Sequence, residues 1–267
     1  MSDDGSASMS DARTDGRAAW NADGNADWIV PDWAVPANVR AIITTRSGGA
    51  SRPPYDSFNL GTRCGDDPIA VARNRGVLRT CLPAEPVWLR QVHGAGVINA
   101  QEPGIEPEAD AAFARSPNIV CAVLAADCMP VLLADRHGVA VGIAHAGWRG
   151  LSAGVLEATV RAMGVAPREL MAWLGPAIGA RQFEVGTDVL GAFTREDAGA
   201  CAAFEPYPGR EGKFLCDLYA LARRRLAAIG VTEVSGGGYC TVSDARFYSF
   251  RRDKTTGRMG AFIWLDA

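Results

Sequence analysis

The chain of 267 residues predicts an α+β fold, a mixed α/β layered single domain in which mixed β-sheets are flanked by helices. Three observations carry that prediction. Apolar, β-branched runs follow one another between residues 119 and 145; three helical segments are marked by capping residues; and strands outnumber helices without alternating with them regularly.

Residues 1–30 read as a disordered acidic N-terminal tail and residues 31–267 as one domain. Before residue 28, six Asp stand against Arg13 and Arg17 among Gly, Ser, Ala and Asn, with little to bury. "RAIITT" (40–45) reads as a strand entering the turn "RSGGASRPPY". Asp67-Pro68 starts a helix, because a short oxygen side chain caps the first N–H groups and proline fits the first turn. Val71, Asn74, Leu78 and Cys81 share its inner face, Asn74 being the polar exception. Residues 87–92 read as the next strand. "IVCAVLA" (119–125), "PVLLAD" (130–135) and "GVAVGIAH" (138–145) read as buried strands.

Ser152 opens a helix with Val155, Leu156, Thr159, Val160 and Met163 inward, ended by Gly164. Asp217 caps another, with Leu218, Ala222, Leu226 and Ile229 inward, Arg223 to Arg225 outward and Gly230 as its stop. Strands at 231–234, 246–250 and 259–265 complete the expected elements.

Charge and cysteine usage narrow the function classes. The formal charge is −3, of which the tail carries −4, leaving +1 for residues 28–267. That balance gives no footprint for a nucleic-acid backbone or an anionic membrane surface, so small molecules are the expected partners. No apolar run approaches the length of a membrane helix, and the N-terminus lacks a basic region followed by an apolar stretch. Seven cysteines, odd in number and without C-x-x-C spacing, suggest reduced thiols and a cytoplasmic location.

The chain has three histidines. His93 and His145 each follow a strand-like run, and Cys128 does too, so all three donors are available to one rim of a sheet. Two His and one Cys around zinc leave a fourth position open, the arrangement of a catalytic site, and the same donors also take copper. The residues leave other readings open. The histidines also suit strand-end hydrogen bonding with Cys128 as a core thiol, or Cys128 as a nucleophile with His145 as its base. Asp127, beside Cys128, suits acid–base work or a turn equally well. In "HAGWRG", Gly147 and Arg149 sit at a strand-to-helix turn where backbone N–H groups and a guanidinium favour an anion. Arg46 and Asn59 flank the loop "RSGGASRPPYDSFNLG" and either reach a ligand or staple the loop.

Taken in order, "TTRSGGAS", "FNLGTRCGDDP", "WLRQVHGAGV", "ADCMPVLLAD", "AHAGWRG", "WLGPAIGARQFEVG", "GGGYCT" and "FYSFRRDKTTGRMG" resemble the bacterial YfiH-like family over residues 36–265. That family is also called the laccase-domain or multicopper polyphenol oxidase family, and is assigned as purine nucleoside phosphorylases. The resemblance implies a zinc site of His93, Cys128 and His145. It also implies phosphorolysis of adenosine, inosine, guanosine and methylthioadenosine, with adenosine deamination. Some members are linked instead to editing of peptidoglycan precursors that carry a wrong amino acid. Two departures stand out: Ala125 replaces the threonine that usually precedes "ADC", and Arg63 replaces the histidine that often follows "NLG".

Three histidines fall far short of the imidazoles that a four-copper oxidase requires, although a mononuclear copper polyphenol oxidase is compatible with these donors. For phosphorolysis, Arg46 and Arg149 are the expected phosphate ligands. Asn59 and Gln91 are the expected polar contacts to base or ribose, and Asp127 the proton donor to the leaving purine. The rival is an amide hydrolase acting on cell-wall precursors through the same residues.

Overall fold

A computed structural model describes residues 28–267, so the expected tail lies, up to residue 27, outside the described residues. From the N-terminal end come β1 (Val39–Ile43), α1 (Pro68–Thr80), β2 (Val97–Asn99), β3 (Ala111–Ala114), β4 (Cys121–Ala125), β5 (Met129–Asp135) and β6 (Val141–Ala146). Then follow α2 (Trp148–Ser152), α3 (Val155–Met163), β7 (Leu170–Leu174), β8 (Glu184–Gly186) and α4 (Thr187–Thr194). The last elements are β9 (Phe204–Pro206), β10 (Lys213–Cys216), α5 (Leu218–Ala228), β11 (Glu233–Gly236), α6 (Phe250–Asp253) and β12 (Met259–Leu265).

A central mixed sheet runs β11-β7-β5-β6-β3-β2, parallel at its two outer pairs and antiparallel within. A second, antiparallel sheet runs β1-β12-β4, and a small third one β8-β10-β9. Side chains alternate across each strand, and the alternation builds the layers. Leu132, Ala134, Val141 and Ile143 face Ile43, Val123, Ala261 and Ile263 of the second sheet. Their neighbours Val131, Leu133 and Ala144 face Leu156, Val160 and Leu226 of α3 and α5. The outer face of the second sheet, with Ile42, Ala122 and Phe262, packs on Leu78 of α1 and on Phe58 and Leu60. The result is the layered α+β single domain that the sequence predicts.

Asp67 caps α1 by accepting from the Ile69 N–H, and Asp217 caps α5 by accepting from that of Ala220. Gly164 ends α3 in the left-handed region that glycine adopts without cost (φ 61°). Ser152 instead ends the short α2, and α3 begins after Gly154.

Two expected strands are absent. Residues 87–92 make isolated bridges at Val87 and Arg90 only. In place of a ladder, the Gln91 side chain clamps the edge of β4, donating to the Leu124 carbonyl (2.9 Å) and accepting from its N–H (2.8 Å). Residues 246–249 are irregular, and Ser249 caps α6 through the N–H of Arg252. Asn74 proves to be a buried staple: its amide accepts from Ala50 N and donates to Ser51 Oγ, Ser57 O and Asn59 O. Among the described residues, no helix is long and apolar enough to cross a membrane.

Candidate metal centre and its cavity

The chain passes from the second sheet to the central one between β4 and β5, through Ala126, Asp127 and Cys128. Asp127 turns there with φ 87°. Its Oδ1 accepts from the Thr241 hydroxyl (2.6 Å), its Oδ2 from the Arg251 N–H (2.6 Å), and its carbonyl from Ile178 (2.9 Å). These bonds hold the crossover in place. Asp127 thus anchors the loop that carries Cys128, and it also lines the cavity described below.

His145 lies in β6 opposite Pro130 of β5, which brings it to the same sheet end as Cys128. Its Nδ1 is 2.9 Å from Asp110 Oδ1, and its backbone N–H donates to the Asp110 carbonyl at 2.7 Å. Asp110 is fully buried, and it also accepts from the successive N–H groups of Val92 (3.1 Å), His93 (2.9 Å) and Gly94 (2.7 Å). Burial raises the Asp110 carboxyl, but the His145 bond and these N–H groups outweigh it and hold the carboxyl below its ordinary range. The wrapped loop presents His93, at φ 61°, toward His145, with ring centroids 4.9 Å apart.

One buried carboxylate thus places both histidines. The donor atoms of His93, Cys128 and His145 lie within 4.8 Å of one another, and the Asp110 bond leaves His145 Nε2 free to ligate. Burial raises the Cys128 thiol, but the charge of His145 and bonds from His145 and His93 overcome it and bring it down to about 6. His145 is lowered by burial but pulled up to about 9 by the Cys128 thiolate and Asp110. A thiolate with two imidazoles is the soft and borderline donor set that zinc and copper take. Gly147 completes the cradle: a Cβ there would stand 2.6 Å from Cys128 Sγ and 3.5 Å from the His93 ring.

These donors open into a cavity of about 680 Å³, within the range of small-molecule sites. Trp148, Ile178, Phe183, Leu218 and Phe250 give it apolar walls. Gln91, Gly147 and Arg149 line it as well, but the amide of Gln91 is committed to β4, which makes it a positioning group. Arg149 is exposed, with its guanidinium 4.3 Å over the Trp148 ring. Arg46 and Asn59 are not among the lining residues. Arg46 donates to the Asp56 carbonyl and pairs with its carboxylate at 3.0 Å. Asn59 is buried, accepting from Gly61 and Arg258 N–H groups and donating to Asp66. Both staple their loop rather than line the cavity.

Asp110, Arg75 and Arg258 escape a reading of the residues alone. A lone aspartate before an apolar strand looks like a turn residue, and a helical arginine looks solvated.

Fold and centre together define a layered α+β protein with a His-Cys-His cluster placed so that it could hold a metal ion. The chain belongs to the family described as multi-copper polyphenol oxidoreductase laccase, whose model matches residues 40–266. It is 54% identical over 239 residues to a Pseudomonas aeruginosa protein named purine nucleoside phosphorylase PA4543, covering 89% of this chain and 98% of that one. It is 53% identical over 241 residues to Escherichia coli purine nucleoside phosphorylase YfiH, with the same coverage. The crystal structure of Neisseria meningitidis protein NMB0706 superposes with a TM-score of 0.86 at 51% identity, covering 90% of this chain and 99% of that one.

Proposed function

We propose that this protein is a zinc-dependent purine nucleoside phosphorylase acting on adenosine, inosine, guanosine and methylthioadenosine, with adenosine deamination as a second activity. The observation that carries this reading is the convergence of three metal donors on a small-molecule cavity, in a chain whose relatives bear the phosphorylase name. His93, Cys128 and His145 would hold the ion, and zinc bound by such donors supplies Lewis acidity at an open coordination position.

The chain's own groups do the rest. The apolar walls at Trp148, Phe183, Leu218 and Phe250 suit a purine and exclude water from it. Arg149, with no ion-pair partner among the described residues, holds phosphate for attack at the anomeric carbon. Asp110 keeps His145 in one tautomer, and Asp127 keeps Cys128 in place. We place the enzyme in the cytoplasm, on the strength of its free thiols, with nucleoside and phosphate as partners rather than nucleic acid or membrane.

One observation favours a second reading. Asp110, His145 and Cys128 form a carboxylate–imidazole–thiolate chain of the kind that amide hydrolases use, which suits editing of peptidoglycan precursors. A nucleophilic cysteine has no need of His93 as a third donor, and that ranks the metal site first. Copper binds these donors more tightly than zinc, so metal analysis accompanies the assay. Phosphate-dependent release of adenine from adenosine tests the first reading, and loss of an amino acid from a nucleotide-linked sugar peptide tests the second.

A further inference from the structure

The cavity carries more positive charge than the metal donors and one phosphate explain. Arg63, Arg75, Arg149, Arg251, Lys254 and Arg258 line it against two carboxylates, Glu106 and Asp127. Asp127 is already engaged by Thr241 and Arg251. The Arg251 guanidinium is committed to the Gln182 and Glu184 carbonyls. Of the remaining cations, Arg63, Arg75 and Arg258 gather on the segment from Leu60 to Cys64.

That segment fixes two guanidiniums. Half-buried Arg75 lies 3.8 Å over the Trp88 ring and donates through Nε (3.0 Å) and Nη2 (2.9 Å) to the Leu60 carbonyl, which leaves Nη1 without a hydrogen bond among the described residues. Arg258 packs so closely on Gly61 that a Cβ there would meet its Cγ at 2.8 Å. Its Nη1 donates to the Thr256 and Gly257 carbonyls at 2.9 Å, and among the described residues its Nε and Nη2 make no hydrogen bond. Exposed Arg63 adds a third charge at the rim, paired with Glu106 at 2.8 Å. Glu85, the other acid near Arg75, accepts from Trp88 Nε1. Guanidiniums anchored by backbone carbonyls lose little freedom on binding, and their remaining donors match the oxygens of a tetrahedral anion.

We propose that Arg75 and Arg258, with Arg63 at the rim, form a second oxyanion subsite that takes a phosphate group, separate from the one at Arg149. The group comes either from free phosphate or from a phosphate ester on the nucleoside. The inference deepens the phosphorylase reading and rests on it for the nucleoside, but it is read by binding rather than turnover.

The test is calorimetric titration of the zinc-loaded protein with inorganic phosphate, adenosine and adenosine 5′-monophosphate, on wild type, Arg258→Gln and Arg63→Gln. Arg63→Gln touches only an exposed pair and should melt with wild type; Arg258→Gln keeps the packing on Gly61 but gives up the bonds to Thr256 and Gly257, so its Kd values are read beside a thermal melt that shows it folded. If the ester is the source, the monophosphate binds at least about tenfold tighter than adenosine, and both variants erase that advantage while the adenosine Kd stays fixed. If free phosphate is the source, its Kd rises about tenfold in the variants and the monophosphate gains nothing over adenosine. Phosphate and monophosphate affinities unchanged in both variants would overturn the subsite, even in a protein that releases adenine. A variant-sensitive anion Kd in a protein that never releases purine would keep the subsite and sink the phosphorylase reading.

Discussion

Asp110 and His145 are joined twice, by the 2.9 Å contact between Oδ1 and Nδ1 and by the 2.7 Å bond from the His145 N–H to the Asp110 carbonyl. Because the same carboxylate gathers the N–H groups of Val92, His93 and Gly94, it ties the loop bearing one metal donor to the strand bearing another. Replacing it with Asn keeps the shape but turns an NH₂ toward backbone donors. Zinc affinity of Asp110→Asn, measured by chelator competition, should fall about 10- to 100-fold. A wild-type affinity would remove Asp110 from the centre.

Gly147 has φ −67°, a conformation open to any residue, so a substitution there acts through space alone. Gly147→Ala should lower zinc occupancy and activity at least about tenfold, because its Cβ reaches Cys128 Sγ, while the melting temperature stays close to wild type. Metal analysis beside a thermal melt separates the two effects.

The metal-free pair at neutral pH is a Cys128 thiolate, brought down to about 6, facing a His145 imidazolium, raised to about 9. The metal needs the thiolate and a neutral imidazole, so uptake at pH 7.5 should release about one proton, from His145. As pH rises toward the His145 value this proton is already lost, and affinity should climb. As pH falls through the Cys128 value a second proton competes, and affinity should drop. Calorimetry in buffers of different ionisation enthalpy counts the protons, and a count of zero would contradict the pairing.

Asn74 holds the loop of residues 50–59 through four hydrogen bonds, none of them to His93, Cys128 or His145. Asn74→Ala should cost roughly 3 kcal/mol through buried groups left unpaired, a fall in Tm of about 6–12 °C. Zinc stoichiometry should be unchanged. Loss of metal at an unchanged Tm would show that the loop serves the centre rather than the fold.

Sequence reading located β4, β5, β6 and β12 because buried strands are long apolar runs, and α1, α3 and α5 because capping aspartates and glycines mark their ends. It overlooks β2, β3 and the small β8-β10-β9 sheet, whose three- or four-residue strands carry no period to detect, and also β7, whose five buried apolar residues carry no alternation. It misread residues 87–92, where the Gln91 amide replaces the pairing that a strand would make. The three candidate metal donors are legible from residue type and family motif. The hub that positions them is not, because the role of Asp110 arises from a loop folding around it. Arg46 and Asn59 looked like ligand contacts for the opposite reason: their partners Asp56, Asp66 and Arg258 are visible only once the loop is closed.

The central claim is phosphorolysis at a metal centre built by His93, Cys128 and His145. The measurement that tests it most directly is a product assay of the metal-analysed protein with adenosine, with and without phosphate, alongside Cys128→Ala. Adenine release should require phosphate, accompany stoichiometric zinc, and disappear together with the metal in Cys128→Ala. Full metal retention in Cys128→Ala, or a zinc-loaded wild type that releases no adenine in the presence of phosphate, would contradict it.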